Sequence, residues 1–250
     1  MQKRTSARLC RRRQNRNAIL VYVRIVLKFV EHHSWGELFR RIRIAACKWF
    51  FENRNVLIMK LRPEEAGAPN PDLEIKELLP SDVDQMLSVM YLRQTDIHKR
   101  FDHGDRCFAV IDAGEISSYM WVQSGVKHLS ELYWVLNLSP HQSWFYNAIT
   151  LKHARGRGYY PNLYRHMAKV LRLAGFSELF IDVEERNRPS IRGLEKVGFK
   201  QVAKVQMKKL LSKFRYKITV FDKQAWQELS EIINDFSGTH SIIERAVNGS

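Results

Sequence analysis

The sequence predicts a mixed α/β (α+β) domain behind a basic N-terminal extension. From residue 73 onward, segments with the alternation of strands and segments with the 3.6-residue period of amphipathic helices follow one another in order. Residues 63–72 contain three prolines and a glycine without periodicity, so we predict a linker there. Lys and Arg are concentrated before this linker, which distinguishes the extension from the body.

Composition and charge exclude several classes of protein. The chain has 250 residues, of which 45% are hydrophobic, so wholesale disorder is excluded. The net charge is +15, and residues 1–62 hold 16 Lys and Arg against 3 acids, so the body is nearly neutral. Cys10, Cys47 and Cys107 are odd in number and lack metal-ligand spacing. We therefore expect no disulfide framework, no metal site and a reducing, cytoplasmic location.

The basic arm, residues 1–62, is predicted to contain two amphipathic helices. Residues 18–30 are apolar, but a membrane span needs about 20 apolar residues, and Arg24 and Lys28 lie on one side of the helical wheel. A second segment begins at Trp35 and places aromatic and aliphatic residues near one face. Neither segment is therefore predicted to cross a membrane.

Four interpretations of the basic arm stay open. The helices in residues 18–51 suit peripheral contact with an anionic membrane, here the inner membrane surface, because Lys and Arg would meet the headgroups. They equally suit helices that cover the body. An acid-free, Arg-rich start is also typical of a mitochondrial targeting peptide. Contact with nucleic acid is the weakest interpretation, since no recognisable binding fold accompanies the charge.

The first half of the body, residues 73–222, begins with strand-rich patterns. We predict a strand at "LEIKELL" and a helix over "PSDVDQMLSVMYL" that ends near Leu92. "RCFAVID" and "EISSYMWVQ" form a predicted hairpin. "ELYWVLNL" and "FYNAITL" are further predicted strands.

The second half alternates helices and strands. "RGRGYY", residues 155–160, leads into a helix that Gly175 ends, and "ELFIDVEE" is a strand. Asn187 is the predicted cap of a short helix over "NRPSIRGLEKVG", and "FKQVAKVQM" and "FRYKITVF" are two closing strands. Residues 223–250 are predicted to form a C-terminal helix, "KQAWQELSEIINDF", and a polar tail.

The glycine-rich turn at residues 155–160 predicts a phosphate site. Backbone N–H groups at a helix start, aided by the helix dipole, bind anions where glycines let the ligand approach. Glycine also occurs in many turns for conformational reasons alone, so this motif by itself is weak.

A second motif strengthens the first and points to a family. About 30 residues after the turn comes N-x-x-S-x-x-x-x-E-K-V-G-F, from Asn187 to Phe199. Together the two segments resemble the GNAT superfamily of N-acetyltransferases over residues 73–221. The resemblance implies a mixed, mostly antiparallel sheet flanked by helices and splayed between the family's fourth and fifth strands. Those strands correspond to "FYNAITL" and "ELFIDVEE" here.

The resemblance also implies the residues that bind acetyl-CoA, the co-substrate of the family. The loop N–H groups would hold the pyrophosphate, the preceding strand end would pair with pantetheine, and the Asn and Ser of the second motif would contact the cofactor arm. These positions are Thr150, Leu151, Arg155, Gly156, Arg157, Gly158, Tyr159, Tyr160, Asn187 and Ser190.

Two departures from the family pattern concern the mechanism. Tyr160 stands where Gly or Ala is usual, so its phenol must point away from the phosphates or line the cleft. Leu194 replaces the tyrosine that in many members reprotonates the leaving thiolate. Tyr159, Tyr160, Tyr164 or water could serve instead, or no acid is needed.

The resemblance implies direct attack of an amine on the thioester, with backbone N–H groups of the splayed strand polarising the carbonyl. A base must first take a proton from the ammonium. Glu131 is the leading candidate on the predicted strands and strand ends. The other candidates are Glu184, Asp182, His153 and Tyr146.

These observations favour an acetyl-CoA-dependent N-acetyltransferase that acts on a primary amine. An amino sugar or cell-envelope precursor is one possible acceptor, because the loop and basic preface resemble GNAT proteins that accompany bacterial surface-polysaccharide synthesis. Two alternatives stay open: a non-catalytic acyl-CoA-binding or interaction module, and a binder of membrane surfaces or nucleic acid through the basic arm.

Overall fold

The structure is a computed structural model, and it describes residues 51–210, 213–235 and 240–246. The chain divides into two compact units, of which the larger comprises Asn53–Lys209 and Lys213–Ser250. Apart from Phe51, the predicted helices and membrane contact of residues 18–51 lie outside the described residues. No helix in the described part of the chain has the length and apolar character needed to span a membrane.

The secondary structure consists mainly of strands. The strands are β1 (Phe51–Leu61), β2 (Glu74–Leu78), β3 (Arg106–Asp112), β4 (Glu115–Gln123), β5 (Val126–Leu129), β6 (Trp134–Asn137), β7 (Gln142–Thr150), β8 (Glu178–Glu184), β9 (Lys200–Leu210), β10 (Lys213–Val220), β11 (Ile233–Asp235) and β12 (His240–Ala246). The helices are α1 (Val83–Val89), α2 (Gln94–Asp102), α3 (Tyr159–Leu173), α4 (Arg188–Glu195) and α5 (Lys223–Glu231).

These strands form a nine-stranded and a three-stranded sheet. The order in the large sheet is β12-β10-β9-β1-β8-β7-β4-β3-β2, and in the small one β11-β6-β5. Antiparallel ladders join β1 to β8, β2 to β3, β3 to β4 and β4 to β7, whereas β7 with β8 and β10 with β12 are parallel. The predicted fold class, a mostly antiparallel mixed sheet with flanking helices, is confirmed.

β7 and β8 pair over only part of their lengths. Their parallel ladder covers four residues of each strand and ends at Phe145 and Ile181. β7 nevertheless continues to Thr150 and β8 to Glu184. Beyond the ladder the two strands part, which is the splay predicted between "FYNAITL" and "ELFIDVEE".

Apolar side chains of the helices make separate buried clusters with the sheets. Leu163 and Met167 of α3 belong to one cluster together with Leu179 of β8. Trp226 of α5 belongs to a second cluster that includes Trp134 of β6. Side chains of α3 therefore pack against β8, which forms one side of the splay.

β1 lies inside the large sheet, between β8 and β9, although the sequence analysis assigned residues 1–62 to a basic arm. Residues 56–59 are all buried, which is typical of a central strand covered on both faces. Such a strand lacks the alternation that identifies a half-buried one, and it follows a basic amphipathic segment in sequence. The sheet therefore begins before the linker rather than at residue 73.

Truncating Ile58 tests whether β1 is integral to the fold. Ile58 is fully buried and pairs with Asp182 of β8, so Ile58→Ala removes core contacts and leaves a cavity. We expect the free energy of unfolding to fall by about 2–5 kcal/mol. Chemical denaturation measures this, with Asn55→Ala, an exposed position on the same strand, as the control. A change below about 0.5 kcal/mol in Ile58→Ala would contradict the central position of β1.

Other differences from the predicted elements are local. The predicted helix from residue 80 to Leu92 is shorter, because Met90 adopts extended backbone angles and ends α1. α2 was not predicted, nor was β5, a short strand after Gly125 that pairs with β6. The C-terminal helix stops at Glu231, so the last part of the predicted helix is instead β11, which pairs with β6. The predicted polar tail contains β12, which pairs with β10.

Candidate active site

A cleft of about 530 Å³ lies where β7 and β8 part. Residues 146–148 of β7 and 181–184 of β8 form its two sides. At one end it is lined by Tyr160 of α3 together with Asn187 and Ser190 of α4. The remaining lining residues are Arg54, Arg100, Lys127, His128, Ser130 and Glu131. Charged side chains from distant parts of the chain therefore meet between the splayed strands.

A bulge in β7 lies beside this cleft. Between Tyr146 and Ile149 the strand has one residue more than the facing stretch of β4, so the register shifts. Asn147 in this bulge has a φ of 53°, the left-handed region that asparagine tolerates better than most residues. The bulge interrupts the regular ladder between β4 and β7 beside the splay.

The glycine-rich loop joins the end of β7 to α3. Gly156 and Gly158 have φ values of 81° and 76°, which L side chains rarely adopt, so glycine is required for this path. The backbone N–H groups of residues 156–160 donate no hydrogen bond to any described residue. They are five consecutive donors at the start of a helix, which is the arrangement that binds a phosphate.

The loop side chains have partners of their own. Arg157 donates to Asp112 of β3 at 2.8 Å, and the Tyr159 hydroxyl donates to the same carboxylate at 2.9 Å. Arg155 donates to the backbone oxygen of Thr150 at 3.3 Å. These contacts brace the loop against β3 and β7, so the structure differs from a loop whose arginines point freely at a ligand.

The strand end that precedes the loop is held by β4. Thr150 and Ser118 hydroxyls lie 2.9 Å apart, and the Leu151 N–H donates to Ser117 at 3.0 Å. The opposite edge of β7 at this point has left β8, because their ladder ended at Phe145. That edge is the one available to pair with an extended ligand.

Asn187 and Ser190 combine a structural contact with a position in the cleft. The Asn187 side chain caps α4 by accepting from the Ser190 N–H at 3.3 Å. Helix capping is therefore their observed role, and both also line the cleft.

Tyr160 lines the cleft, whereas Tyr164 does not. Tyr164 is fully buried and donates from its hydroxyl to the Tyr160 oxygen at 3.2 Å. Its predicted catalytic role is therefore limited to an action through Tyr160. The Tyr160 ring lies against Gly193 of α4, where an added Cβ would meet ring carbons at 2.9 and 3.0 Å. Gly193 therefore accommodates the unusual phenol of the loop motif.

Leu194 is fully buried and belongs to the apolar cluster below α4. No hydroxyl therefore comes from the position where many family members have a tyrosine. The Tyr159 hydroxyl is held by Asp112, away from the cleft lining. Of the three tyrosines that the sequence offers as the acid, Tyr159, Tyr160 and Tyr164, Tyr160 alone lines the cleft.

Asp182 provides a carboxylate on the β8 side of the cleft. It accepts a hydrogen bond from Trp144 Nε1 at 2.8 Å. Burial raises the pKa of Asp182 to about 6, and the negative charge of Glu131 acts in the same direction. Glu131 itself lines the cleft from the β5–β6 turn, where Ser130 donates to it at 3.0 Å. The two carboxylates therefore form an acidic pair in the cleft.

The remaining candidate bases are less suitable. Glu184 lies in ion pairs with Arg54 at 2.9 Å and Arg186 at 2.8 Å, and hydrogen bonding to Arg186 contributes most to its lowered pKa. The Tyr146 hydroxyl donates to Asp105, and burial raises the pKa of Tyr146. His153 is exposed in a turn before the loop and does not line the cleft.

Sequence reasoning missed Arg100, Lys127 and Asp105. Arg100 lies on the unpredicted helix α2 and Lys127 on the unpredicted strand β5, so no pattern connected either with the cleft. Asp105 is buried beside Tyr146 although it follows a turn, a context that normally predicts exposure. In the described parts of the chain, no group of three or more His, Cys, Asp or Glu side chains is arranged to hold a metal ion.

Comparison with family models finds one match, described as the acetyltransferase (GNAT) family, over residues 74–199. That range is just over half of the chain and includes the loop and both splayed strands. A search of curated proteins finds no match.

Solved structures with similar folds have low sequence identity. A GNAT-family protein from Novosphingobium aromaticivorans DSM 12444 is 17% identical, with a TM-score of 0.42 over 60% of this chain and 61% of that chain. An aminoglycoside acetyltransferase from an uncultured soil metagenomic sample is 12% identical, with a TM-score of 0.41 over 50% and 87%. A tandem GNAT protein from the clavulanic acid biosynthesis pathway is 16% identical, with a TM-score of 0.45 over 63% and 53%.

Proposed function

Because the chain belongs to the acetyltransferase (GNAT) family, we propose that it transfers an acetyl group from acetyl-CoA to a primary amine in the cleft between β7 and β8. Acetyl-CoA is the co-substrate of this family. The observation that carries the proposal is the combination of the backbone N–H groups of residues 156–160, which donate no hydrogen bond to a described residue, with the Asp182 carboxylate in the cleft.

The residues present fit acetyl-CoA. The N–H groups of residues 156–160 would hold its pyrophosphate, and the open φ > 0 geometry of Gly156 leaves the space next to that backbone clear of other atoms. The freed edges of β7 near Thr150 and of β8 beyond Ile181 would pair with the extended pantetheine arm. Asn187 and Ser190 line the same end of the cleft and would contact that arm.

When bound, acetyl-CoA supplies the thioester carbonyl that the amine attacks and the thiolate that leaves. Backbone N–H groups of β7 that the bulge at Asn147 takes out of the regular ladder with β4 would donate to the carbonyl oxygen. Such fixed dipoles stabilise charge that develops during acyl transfer and need no reorganisation.

Asp182 is the base that the electrostatics favour. A carboxylate with a pKa of about 6 is mostly ionised at neutral pH and is a stronger base than an ordinary aspartate. Glu131, the leading candidate from the sequence, would act with it by raising the Asp182 pKa and by attracting the ammonium form of the acceptor. The amine nitrogen would lose its proton to Asp182, directly or through water, before it attacks.

Tyr160 is the acid that the geometry favours. Its oxygen accepts from the Tyr164 hydroxyl, and its other side-chain partner is Ser190, which lines the cleft, so its own proton lies on the cleft side. Because Gly193 leaves room for the ring, the hydroxyl occupies the cofactor end of the cleft beside Ser190. Tyr160 would thus take the role that Leu194 cannot fill, which is to protonate the departing thiolate.

Removing the Tyr160 hydroxyl tests this assignment. We expect Tyr160→Phe to lower kcat by about 10-fold to 100-fold, at the lower end for acid catalysis because a thiolate leaves readily. The rate of thiol release at saturating acetyl-CoA measures it. Tyr164→Phe is the matched control, since that hydroxyl is buried and does not line the cleft. Equal losses in both variants would contradict a direct role for Tyr160.

The function itself is tested by amine-dependent release of CoA thiol and by mass spectrometry of the acetylated product. A panel of polyamines, amino sugars, amino acids and peptides covers the chemical range of primary amines.

An amino sugar or cell-envelope precursor is our proposed acceptor, supported by the basic residues before β1, which suit an anionic membrane surface. Acetyl-CoA binding without turnover of any amine would favour a non-catalytic acyl-CoA-binding module instead.

A further inference from the structure

Two cationic side chains line the cleft at the same tyrosine ring, Arg100 from α2 and Lys127 from β5, and we call them the cation pair. Both contact the ring of Tyr146 on β7. Lys127 Nζ is 3.9 Å from the ring centroid and Arg100 Cζ is 5.0 Å from it. The proposed reaction uses neither of them.

Lys127 lacks the partners that a buried ammonium normally has. It is only 7% exposed, yet within the described residues it makes no ion pair and donates no hydrogen bond. The carboxylates of Asp182, Glu131 and Asp105 attract it from beyond ion-pair distance, and burial lowers its pKa. An aromatic face compensates only part of the cost of burying a charge. The Lys127 ammonium therefore has hydrogen-bond donors left for a ligand group in the cleft.

Arg100 likewise has a carboxylate nearby, that of Asp105, without an ion pair to it. In the part of the chain that the structure describes it makes no ion pair, and its guanidinium also stacks 5.0 Å from the centroid of Trp121. With its amide turned to present oxygen, Asn147 accepts from Arg100 Nη1 at 3.1 Å. A guanidinium has five donors, so several stay available to a planar or tetrahedral oxyanion.

The surroundings fix the cation pair in place. The Tyr146 hydroxyl donates to Asp105, which is itself buried, so the ring that both cations contact cannot swing away. Trp121 packs on the same group of rings, 6.4 Å from Tyr146. A preorganised arrangement of this kind favours binding, since little side-chain freedom is lost.

The cation pair is separate from the phosphate site of the loop. Because β7 bulges between them, Tyr146 and Thr150 face residues of β4 that are three apart, Trp121 and Ser118, which corresponds to about 10 Å in a strand. The loop donors then follow at residues 156–160, beyond the strand end. An anionic group at Tyr146 is therefore not the pyrophosphate of acetyl-CoA, and we assign it to the acceptor.

We propose that Arg100 and Lys127 bind an anionic group, a carboxylate or a phosphate, on the acceptor, whose amine is received by Asp182 and Glu131. This inference rests on the proposed function and narrows it. The acceptor class is then an amine that also carries an acidic group, such as an amino acid or a phosphorylated amino compound. A simple aliphatic amine would leave the cation pair without a partner.

The test compares matched amines that differ only in the anionic group. 4-Aminobutyrate is paired with butylamine, and phosphoethanolamine with ethanolamine, and each is titrated calorimetrically into the protein saturated with CoA. We expect at least one anionic member to bind about tenfold or more tightly than its neutral partner, as hydrogen bonds to charged groups permit. The two pairs separate a carboxylate preference from a phosphate preference.

Variants connect this preference with the cation pair. Lys127→Met keeps the length of the side chain without its charge, and Arg100→Gln removes the guanidinium. Each is expected to reduce the preference for the anionic amine to about threefold or less, whereas Lys99→Gln, on the exposed side of α2, keeps it. Thermal melting checks the fold of each variant. If Lys127→Met does not fold, the anion preference of Arg100→Gln tests the proposal by itself.

Acetyl-CoA binding, measured in the same variants, distinguishes this inference from the proposed function. The inference predicts unchanged acetyl-CoA affinity in both. Equal affinity for the two members of each amine pair, or a preference that survives both substitutions, would overturn it and leave the transferase proposal intact. Absence of acetyl-CoA binding by the folded wild-type protein would instead contradict the proposed function.

Discussion

Asp182→Asn should lower kcat by about 10²-fold to 10⁴-fold while acetyl-CoA binding is unchanged, which is the effect of losing a general base. The amide can still accept from Trp144 Nε1, so the local structure is retained. The kcat/KM of the wild type should rise with pH through about 6, the pKa of Asp182, because only the ionised carboxylate takes a proton. Stopped-flow or steady-state thiol release, measured over about pH 5–8, covers the transition and measures both effects.

Glu131→Gln is the matched control for Asp182→Asn. The charge of Glu131 raises the Asp182 pKa, so its removal should move the acidic limb of the kcat/KM profile to lower pH. The variant should retain a substantial part of its kcat, since Asp182 remains. If Glu131→Gln instead loses the acidic limb and Asp182→Asn keeps it, Glu131 is the base and our assignment is wrong.

The same substitution of Asp182 should stabilise the folded protein at pH 7. Because the folded-state pKa lies above the unfolded value, ionisation of Asp182 destabilises the fold as the pH rises from about 4 to about 6. Asp182→Asn removes that cost, which is about 3 kcal/mol for a shift of this size. Chemical denaturation should be measured at pH 7 and below about pH 4, the pKa of an unfolded aspartate. The free energy of unfolding of Asp182→Asn should exceed that of the wild type at pH 7 alone. Higher stability with lower activity is typical of a catalytic position.

Gly158→Glu should weaken acetyl-CoA binding by about 100-fold or more. The new carboxylate would lie among the N–H groups of residues 156–160 and repel the pyrophosphate that they would hold. Isothermal titration with acetyl-CoA and with CoA measures the loss. The thiol-release activity should fall in parallel at subsaturating acetyl-CoA.

Gly158→Ala separates charge from backbone strain. It shares the unfavourable φ of 76°, but its Cβ meets only Asn162, at 3.6 Å. We expect a loss well below that of Gly158→Glu, about tenfold or less, because alanine in the left-handed region costs about 1–2 kcal/mol. Equal losses in both variants would show that the shape of the loop, rather than an anion site, accounts for the effect.

The parts of the site that the sequence predicted are those made by neighbouring residues. The strand, glycine loop and helix from residue 142 to 173 follow one another directly, as do β8 and α4, so periodicity and capping residues predicted both. Asn187 is the observed cap of α4, as its position before Pro189 indicated. The splay followed from the family resemblance carried by these local motifs.

The parts that could not be predicted depend on distant segments. Gly193 has a role only because the Tyr160 ring packs on it, a contact between two helices that no spacing along the chain indicates. Asp182 becomes a base with a raised pKa through burial and the charge of Glu131, which comes from a turn on another sheet. Lys127 lies on a four-residue strand that is too short to have a recognisable period.

Hydrogen–deuterium exchange with and without acetyl-CoA tests the central claim most directly. In the free protein, the amides of residues 156–160 donate no hydrogen bond to the described residues and should exchange quickly. Acetyl-CoA should protect these amides together with those of residues 147–150 and 182–184 along the splay. Unchanged exchange in these three segments at saturating acetyl-CoA, or protection confined to other parts of the chain, would contradict our account of the cleft as the acetyl-CoA site.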